Sequence, residues 1–495
     1  MARLPLPGLE LTGDAGGAPS DAGEPGAHGP GAHGPDDGPD DGPDARRPRD
    51  PSAAIPADVL ALLDTLLTEG HAAYVVGGSL RDVLLERQPA DWDMATDAEP
   101  ARIVELFPGA VYENRFGTVA VRRGGETFEI TTFRSDHDYA DFRRPHRVVF
   151  GQTIEADLAR RDFTVNAMAW GARPGDAFGL VDPYDGRQDI ERRLLRAVGD
   201  PEARFGEDAL RMIRAVRLGA TLGFAIEPAT LAAIEIRAEL VRHHSGERVA
   251  AELEKLLAAP LPSHGLLPLE ATGLLRWISP ELAEQRGIPQ NKVAGEDLWD
   301  HTVRTVDAAR TGRPVVRLAA LLHDIGKPAT FVDGRFHGHE SAGARLADEF
   351  LRRLRFPRST SERVVHLVSQ HMFDYAPTWG DAAVRRFISK TGRHALEELF
   401  ELREADNVGS GIPIDANGLD ELRARVAGQL AAEVAIDRAD LAVNGDDLIR
   451  EVGLAQGPRL GAILDRLLDA VVEDPGLNDR PTLLLLAQAE LADEG

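Results

Sequence analysis

The sequence predicts an α+β protein: a small mixed-sheet head followed by an elongated, all-helical neck, body and tail. Three observations carry that reading. Up to about residue 185, short apolar runs of strand character alternate with runs at helical spacing. Beyond it, almost every apolar residue recurs at the helical period. The 495 residues, 43% hydrophobic, suffice for two to four structural units with apolar cores.

Residues 1–52 read as a disordered Gly/Pro/Asp-rich tail in which GAHGP and DDGP each occur twice. Such a composition buries almost nothing, and His28 and His33 within it read as linker rather than metal ligands. The head is expected over 53–190. IPADVLALLDTLLTEG opens it with a helix and a glycine stop. HAAYVVGG reads as a buried strand ending in a turn, and SLRDVLLE as a short helix capped by Ser79. DWDMAT reads as a second strand and ARIVELF as a helix. FGTVAVRR and ETFEITTFR read as a strand pair joined by a Gly-Gly turn. A helical neck is expected over 191–260, a helical body over 261–410 and a helical tail over 411–495.

The formal charge of -25 argues against nucleic acid as a partner of the whole surface, because phosphate binding needs positive charge. The charge is uneven, however. Residues 1–52 hold ten acids and four arginines, whereas Phe142–Arg161 holds five arginines and two acids. A local basic strip can coexist with an acidic whole. The absence of cysteine excludes disulfides, thiolate metal sites and cysteine nucleophiles. No apolar run approaches the ~18 residues of a membrane span and no signal pattern opens the chain. A cytoplasmic protein without a membrane partner is therefore expected.

VVGGSLRDVLLERQPADWDMAT carries the first candidate site. Asp91 and Asp93 lie two apart on an expected strand, so they share a face. Two carboxylates there repel unless a cation sits between them, and Mg²⁺ suits such oxygens while keeping room for phosphates. The Gly-Gly-Ser turn before a helix offers backbone N–H groups to phosphate, and Arg81 adds a forked donor. Alone, each piece reads as a solvated loop or an ordinary turn. Their order, GG-S-x-RD and then D-x-D, resembles the nucleotidyltransferase head of the class II tRNA nucleotidyltransferase and bacterial poly(A) polymerase family. The resemblance implies a two-metal nucleotidyl-transfer centre on Asp91 and Asp93. It places Gly77, Gly78, Ser79 and Arg81 near the triphosphate. Glu129, in FEITTFR, is the candidate third carboxylate, against a plain reading as a strand-face acid.

Further motifs extend the likeness over about residues 70–260. RRDFTVNAMAW resembles the family's stretch contacting sugar and phosphates, which implies that role for Arg161 and Asp162. GEDALRMIRAVR reads as a helix on which Asp208 and Arg211 share a face, continued by Arg214 and Arg217. A salt-bridge ladder is the plain reading. The resemblance makes it an amino-acid template instead. A carboxylate accepts from an exocyclic amine and a guanidinium donates to a ring nitrogen, so one pair suits cytosine and adenine and rejects guanine and uracil. DPYDGRQDIERRLLR resembles the link from head to neck. SGERVAAELEKLL resembles the neck helix, with Ser245 as its cap. SDHDYADFRRPHRVVFG resembles the flexible loop kept by CCA-adding members and lacking in CC-only ones, although Arg144-Pro145 follows an arginine where the family has Arg-His-Pro.

A second candidate site lies in the body. LLHDIGKPAT carries His323 and Asp324, LWDHTVRTVDAA carries His301, and LREADNVG carries Asp406. Imidazoles and carboxylates drawn from separate helices suit a divalent transition metal. The order resembles the HD phosphohydrolase superfamily, with His339 and His371 available for a second position. A satisfied polar cluster or a structural metal is the plainer reading. The expected function is template-independent CCA addition to tRNA 3′ ends from CTP and ATP. Two alternatives stay open: a poly(A) polymerase on general RNA ends, and an HD-type phosphohydrolase with a nucleotide-binding head.

Overall fold

The computed structural model describes residues 51–112, 117–139, 145–150, 153–290, 292–432 and 434–493. The expected disordered tail, with His28 and His33, lies outside them except for its end, where Pro51–Ala54 form one 3-10 turn. The chain forms two compact units. One holds the described residues before 140, together with 145–204 and 224–230; the other holds 205–223 and those from 231 onward.

The first unit opens with helix Ala57–Thr68, whose Val59, Leu62, Leu63 and Leu66 recur at helical spacing and are buried. In chain order its strands are β1 (Ala73–Val76), β2 (Asp93–Thr96), β3 (Val111–Tyr112), β4 (Thr118–Arg123), β5 (Glu126–Thr132), β6 (Arg134–Tyr139), β7 (Pro145–Phe150), β8 (Ala169–Ala172) and β9 (Gly179–Val181). β6 and β7 form their own hairpin. The rest form one mixed sheet in the order β3-β4-β5-β2-β1-β8-β9, with β2 and β5 the parallel pair. β1 is an interior strand, buried at every position, which is why AYVV is apolar without alternation. β5 alternates, burying Phe128 and Ile130 and exposing Glu129. Tyr74, Val76, Phe133, Ile154, Leu158 and Val198 build the core on one side of the sheet.

This unit runs past 190, where the neck was expected to begin. Leu194–Leu195 pair with Ala225–Ile226, and the backbone N–H of Thr164 donates to the Arg196 carbonyl at 2.9 Å. Val198 N–H donates likewise to the Asp162 carbonyl at 3.1 Å. These bonds tie 194–198 to the turn that carries Asp162.

The second unit is helical. Helix Leu210–Leu222 packs on Gly246–Leu257 and on Ser263–Ala271. Helices Leu298–Ala308, Pro314–Leu322 and Leu396–Gly409 pack on one another. Pro314–Leu322 also meets Arg358–Gln370, which lies against His339–Arg353. Arg317 is buried and donates to the carbonyls of Leu257, Ala259 and Ala309, closing two helix ends. Residues from 435 on form a separate apolar cluster that includes Val443, Leu448, Ile463, Leu467, Val471 and Leu483.

The crossing of Leu298–Ala308 and Leu396–Gly409 depends on Gly409. A Cβ there would lie 2.1 Å from Thr305 Oγ1 and 3.0 Å from Thr305 Cα. His301 sits one turn before Thr305, and Asp406 one turn before Gly409. The Gly409→Ala substitution is expected to destabilise this unit by about 1–3 kcal/mol, as overpacking does. Thermal unfolding checks it; an unchanged midpoint would show that the two helices yield freely.

Candidate functional site

β2 and β5 run in register with Asp93 opposite Glu129. Residues so paired, on strands about 4.8 Å apart, point to one face. Asp91 stands outside the sheet, because the strand expected from 91 begins only at Asp93. The two aspartates therefore do not share a strand face as their spacing suggested. They still interact: burial raises the Asp93 carboxyl above its ordinary value, the Asp91 charge raises it further, and Arg161 opposes both.

The turn after β1 brings cationic side chains to these acids. Gly77 caps helix Gly78–Leu84 at φ 77°, and a Cβ there would lie 2.7 Å from Arg161 Nη1 and 3.7 Å from Asp93 Oδ2. Both the backbone and the close approach require glycine. Ser79 is not the cap. It lies inside the helix, and its Oγ donates to the Val76 carbonyl at 3.1 Å. Arg81 donates to Asp82 through Nε and Nη2, and to Asn166 Oδ1 through Nη1 at 2.7 Å. Asn166 donates to Asp162 Oδ1 at 3.3 Å, and its carbonyl accepts from Arg161 Nη1 at 3.4 Å. Asp162 Oδ1 also accepts from the Phe163 N–H at 2.9 Å. Arg160 and Arg161 both pair with buried Asp157. Burial opposes the Asp157 charge, and the two guanidiniums outweigh it and hold the carboxyl below its ordinary value. Fixed cations thus stand beside acids that repel each other. Asp93, penalised for its charge, has the Asp91 charge near it and Glu129 across the strand pair; these are hard oxygen donors of the kind a divalent cation takes, although the three carboxylates are not drawn into one tight ligand group.

In the helical unit, Asp208 is not on a helix. It sits in the break between helices Pro201–Glu207 and Leu210–Leu222, so it does not share a helical face with Arg211. Its side chain turns back on its own backbone, accepting from the Leu210 N–H at 3.0 Å. Arg248 and His244 hold it from the far side. Arg211 pairs with Glu207 at 2.7 Å and Arg217 with Glu252. Arg214 lies half-buried on the same helix as Arg211 and Arg217. Ser245 occupies the N-cap of helix Gly246–Leu257 without a capping hydrogen bond from its side chain.

The structure gathers the remaining histidines and aspartates into one buried cluster. His301 Nε2 lies 3.2 Å from His323 Nε2, 3.3 Å from Asp324 Oδ2 and 3.3 Å from Asp406 Oδ1. Across Asp324, His339 Nε2 lies 3.3 Å from His371 Nε2 and 3.4 Å from Asp324 Oδ1. The Nδ1 atoms of His323, His339 and His371 donate to backbone carbonyls of Ala320, Phe336 and Val368 at 2.7–2.8 Å. That fixes the tautomer and leaves each Nε2 lone pair aimed at the centre. Burial opposes charge on Asp324, but His323 and Lys327 hold it well below its ordinary value. His301 is raised against the effect of burial by Asp324 and Asp406, whereas burial lowers His323. Two groups of ligand atoms, both using Asp324, can each hold a metal ion.

Residues 73–196 match the poly A polymerase head domain, 223–286 match the probable RNA- and SrmB-binding site of polymerase A, and 298–410 match the HD domain. The CCA-adding enzyme of Geobacillus stearothermophilus is 35% identical over 425 residues, which is 86% of this chain and 94% of that protein. That of Levilactobacillus brevis is 34% identical over 431 residues, 86% of this chain and 95% of its own. The chain belongs to the CCA-adding enzyme family. The crystal structure of the Bacillus stearothermophilus CCA-adding enzyme in complex with CTP superposes with a TM-score of 0.65 at 31% identity, covering 88% of this chain and 97% of that one. The Thermotoga maritima CCA-adding enzyme complexed with tRNA shares the fold, with a TM-score of 0.55 at 20% identity over 89% of this chain and 97% of its own.

In this member of the CCA-adding enzyme family, several residues at the sites carry no assignment from sequence alone. Asn166 links Arg81 to the turn of Arg161 and Asp162, and its place in RRDFTVNA was the available signal. Lys327 and Lys292 stand against Asp324 and Asp406, yet only four lysines occur in the chain. That scarcity was a signal for both. Residues 140–144, with Arg144, lie outside the described residues. Among the described residues no helix is long and apolar enough to cross a membrane.

Proposed function

We propose that the chain adds CCA to tRNA 3′ ends from CTP and ATP, in the cytoplasm, through the carboxylates of its head. The observation that carries the reading is the register of Asp93 with Glu129 beside Asp91, on a chain that matches CCA-adding enzymes over 94% of their length. Asp91, Asp93 and Glu129 would hold Mg²⁺, which would supply activation of the attacking hydroxyl and offset charge on the leaving pyrophosphate. Arg81 and Arg161 keep their guanidiniums beside the triphosphate, where fixed donors stabilise developing charge without reorganising. The backbone at Gly77 and Gly78 admits phosphate close to the helix start. Asp208 accepts from the exocyclic amine of C or A and Arg211 donates to the adjacent ring nitrogen. Arg214 and Arg217 flank that pair with positive charge, and Asp162 orients the sugar.

With tRNA trimmed of its end, CTP alone is expected to give two added cytidines and then arrest. CTP with ATP is expected to give three additions. Gel analysis of each product checks this, and long tails from ATP without regard to CTP would favour the poly(A) polymerase reading.

A second reading concerns the His/Asp cluster: its two groups of ligand atoms support a pair of metal ions, and hydrolysis of phosphate esters is the activity that the HD-domain match suggests for it. Lys327 and Lys292 supply positive charge at its edge, 2.6 Å from Asp324 and 3.5 Å from Asp406. The reading predicts hydrolysis that survives loss of the head carboxylates.

A further inference from the structure

Helix Ile154–Ala159 is anchored in the core of the head through Ile154 and Leu158, and it also buries an aspartate, Asp157. The two oxygens of Asp157 are divided between two arginines. Oδ1 accepts from Arg160 Nε at 3.0 Å and from Arg160 Nη2 at 2.7 Å. Oδ2 accepts from Arg161 Nη2 at 3.2 Å. Little else holds Arg161. Its Nε is buried without an acceptor, and Asp157 is its one ion-pair partner among the described residues. Its other hydrogen bond there runs from Nη1 to the Asn166 carbonyl at 3.4 Å, longer than the usual N–H···O bond. Nη1 stands against the turn at Gly77, where a Cβ would lie 2.7 Å from it and 3.7 Å from Asp93 Oδ2. A guanidinium is planar and rigid, so pinning Nη2 on a buried anion also sets the direction of Nη1.

We propose that Asp157 is a positioning residue for the nucleotide's triphosphate: its Oδ2 anchors Arg161 so that Nη1 stays at the Gly77 turn, beside the metal carboxylates. The inference rests on the reading that Arg161 binds the triphosphate. Arginine is a long side chain with many rotamers, and a ligand that must order it loses affinity in doing so. Asp157 meets that cost when the head folds, before the nucleotide arrives. Phosphates are common to CTP and ATP, so the anchor serves both substrates equally and leaves the choice of base to other residues.

The test is calorimetric binding of inorganic triphosphate, with Mg²⁺, to the full chain. Stoichiometry reports the folded fraction and Kd reports the site, so lost folding does not pass for lost affinity. Asp157→Asn keeps the shape and removes the charge. It is expected to raise Kd about tenfold, the scale of one hydrogen bond between charged groups, and to raise KM for CTP and for ATP by one common factor. Arg161→Ala is expected to weaken binding at least as much, and adding Asp157→Asn to it should change nothing further. If Asp157→Asn does not accumulate as folded protein, Asp157→Ser serves, since it is smaller and equally uncharged. A wild-type Kd in the Asp157 variant, alongside a raised one in Arg161→Ala, overturns the inference and leaves the role of Arg161 standing. A further loss in the double variant also overturns it, because Asp157 would then act through another group. A wild-type Kd in Arg161→Ala overturns the reading of Arg161, and the inference with it.

Discussion

Replacing Asp93 by asparagine is expected to lower nucleotide addition by roughly a thousandfold or more, the ~4 kcal/mol that a bound metal's charge stabilisation supplies. The same change is expected to stabilise the metal-free protein. Both effects have one cause. Burial and the Asp91 charge raise the Asp93 carboxyl, so the folded state holds that proton more tightly than the unfolded chain does. The sign follows from linkage: a raised carboxyl costs nothing when protonated in both states, and its penalty grows as pH rises through the ordinary carboxylate range. In Mg²⁺-free buffer the asparagine variant should therefore unfold at a higher temperature than the parent at neutral pH, and the gap should close in acid. Added Mg²⁺ should raise the parent's midpoint, because a ligand of the native state stabilises it, and should leave the variant's nearly unmoved. Single-turnover addition of CMP and melting curves with and without Mg²⁺ check the two halves. A variant that keeps full transfer would move the centre elsewhere in the chain.

Much of the head was legible because its signals are local. AYVV is apolar at every position and is a buried interior strand, and Gly124-Gly125 is the turn between β4 and β5. What failed was also local, at element ends. Ser79 was read as a cap, yet Gly77 at φ 77° takes that position because Arg161 leaves no room for a side chain. Asp208 was placed on a helix, but its carboxylate bonds the Leu210 N–H and the helix starts after it. This side-chain-to-backbone competition is what favours aspartate at breaks. Asp91 was put in a strand that begins two residues later. Glu129 was uncertain for another reason. Its place beside Asp93 depends on a parallel pairing between strands 36 residues apart, and sequence spacing carries no register for such a pair. The contacts of His244 and Arg248 with Asp208 are likewise non-local, so no motif spacing announces them. The His/Asp cluster was legible by residue type, since buried apolar helices seldom carry so many imidazoles without a shared purpose.

Asp324 is the one residue common to both groups of ligand atoms, and that makes its replacement the sharpest test of the second site. Oδ2 faces His301 and His323, while Oδ1 faces His339 and His371. Asp324→Ala is expected to abolish metal retention at both positions. His301→Ala and His339→Ala are each expected to spare the half they do not serve. Metal content after dialysis, measured by elemental analysis, distinguishes these outcomes without reference to any substrate. Stability has to be followed alongside. Removing a buried carboxylate leaves Lys327 and the imidazoles uncompensated, a loss of about 3–5 kcal/mol when one partner of a buried pair is deleted. Asp324→Asn keeps the volume and one oxygen, so it separates lost ligation from lost packing. Protons compete for the same lone pairs. His301 is raised, so it stays protonated to a higher pH than an ordinary imidazole, and metal should leave its half first as the solution is acidified. If all three alanine variants retained metal equally, the cluster would be a satisfied polar core and the hydrolytic reading would fall. Nucleotide addition, which uses none of these residues, would stand unaffected.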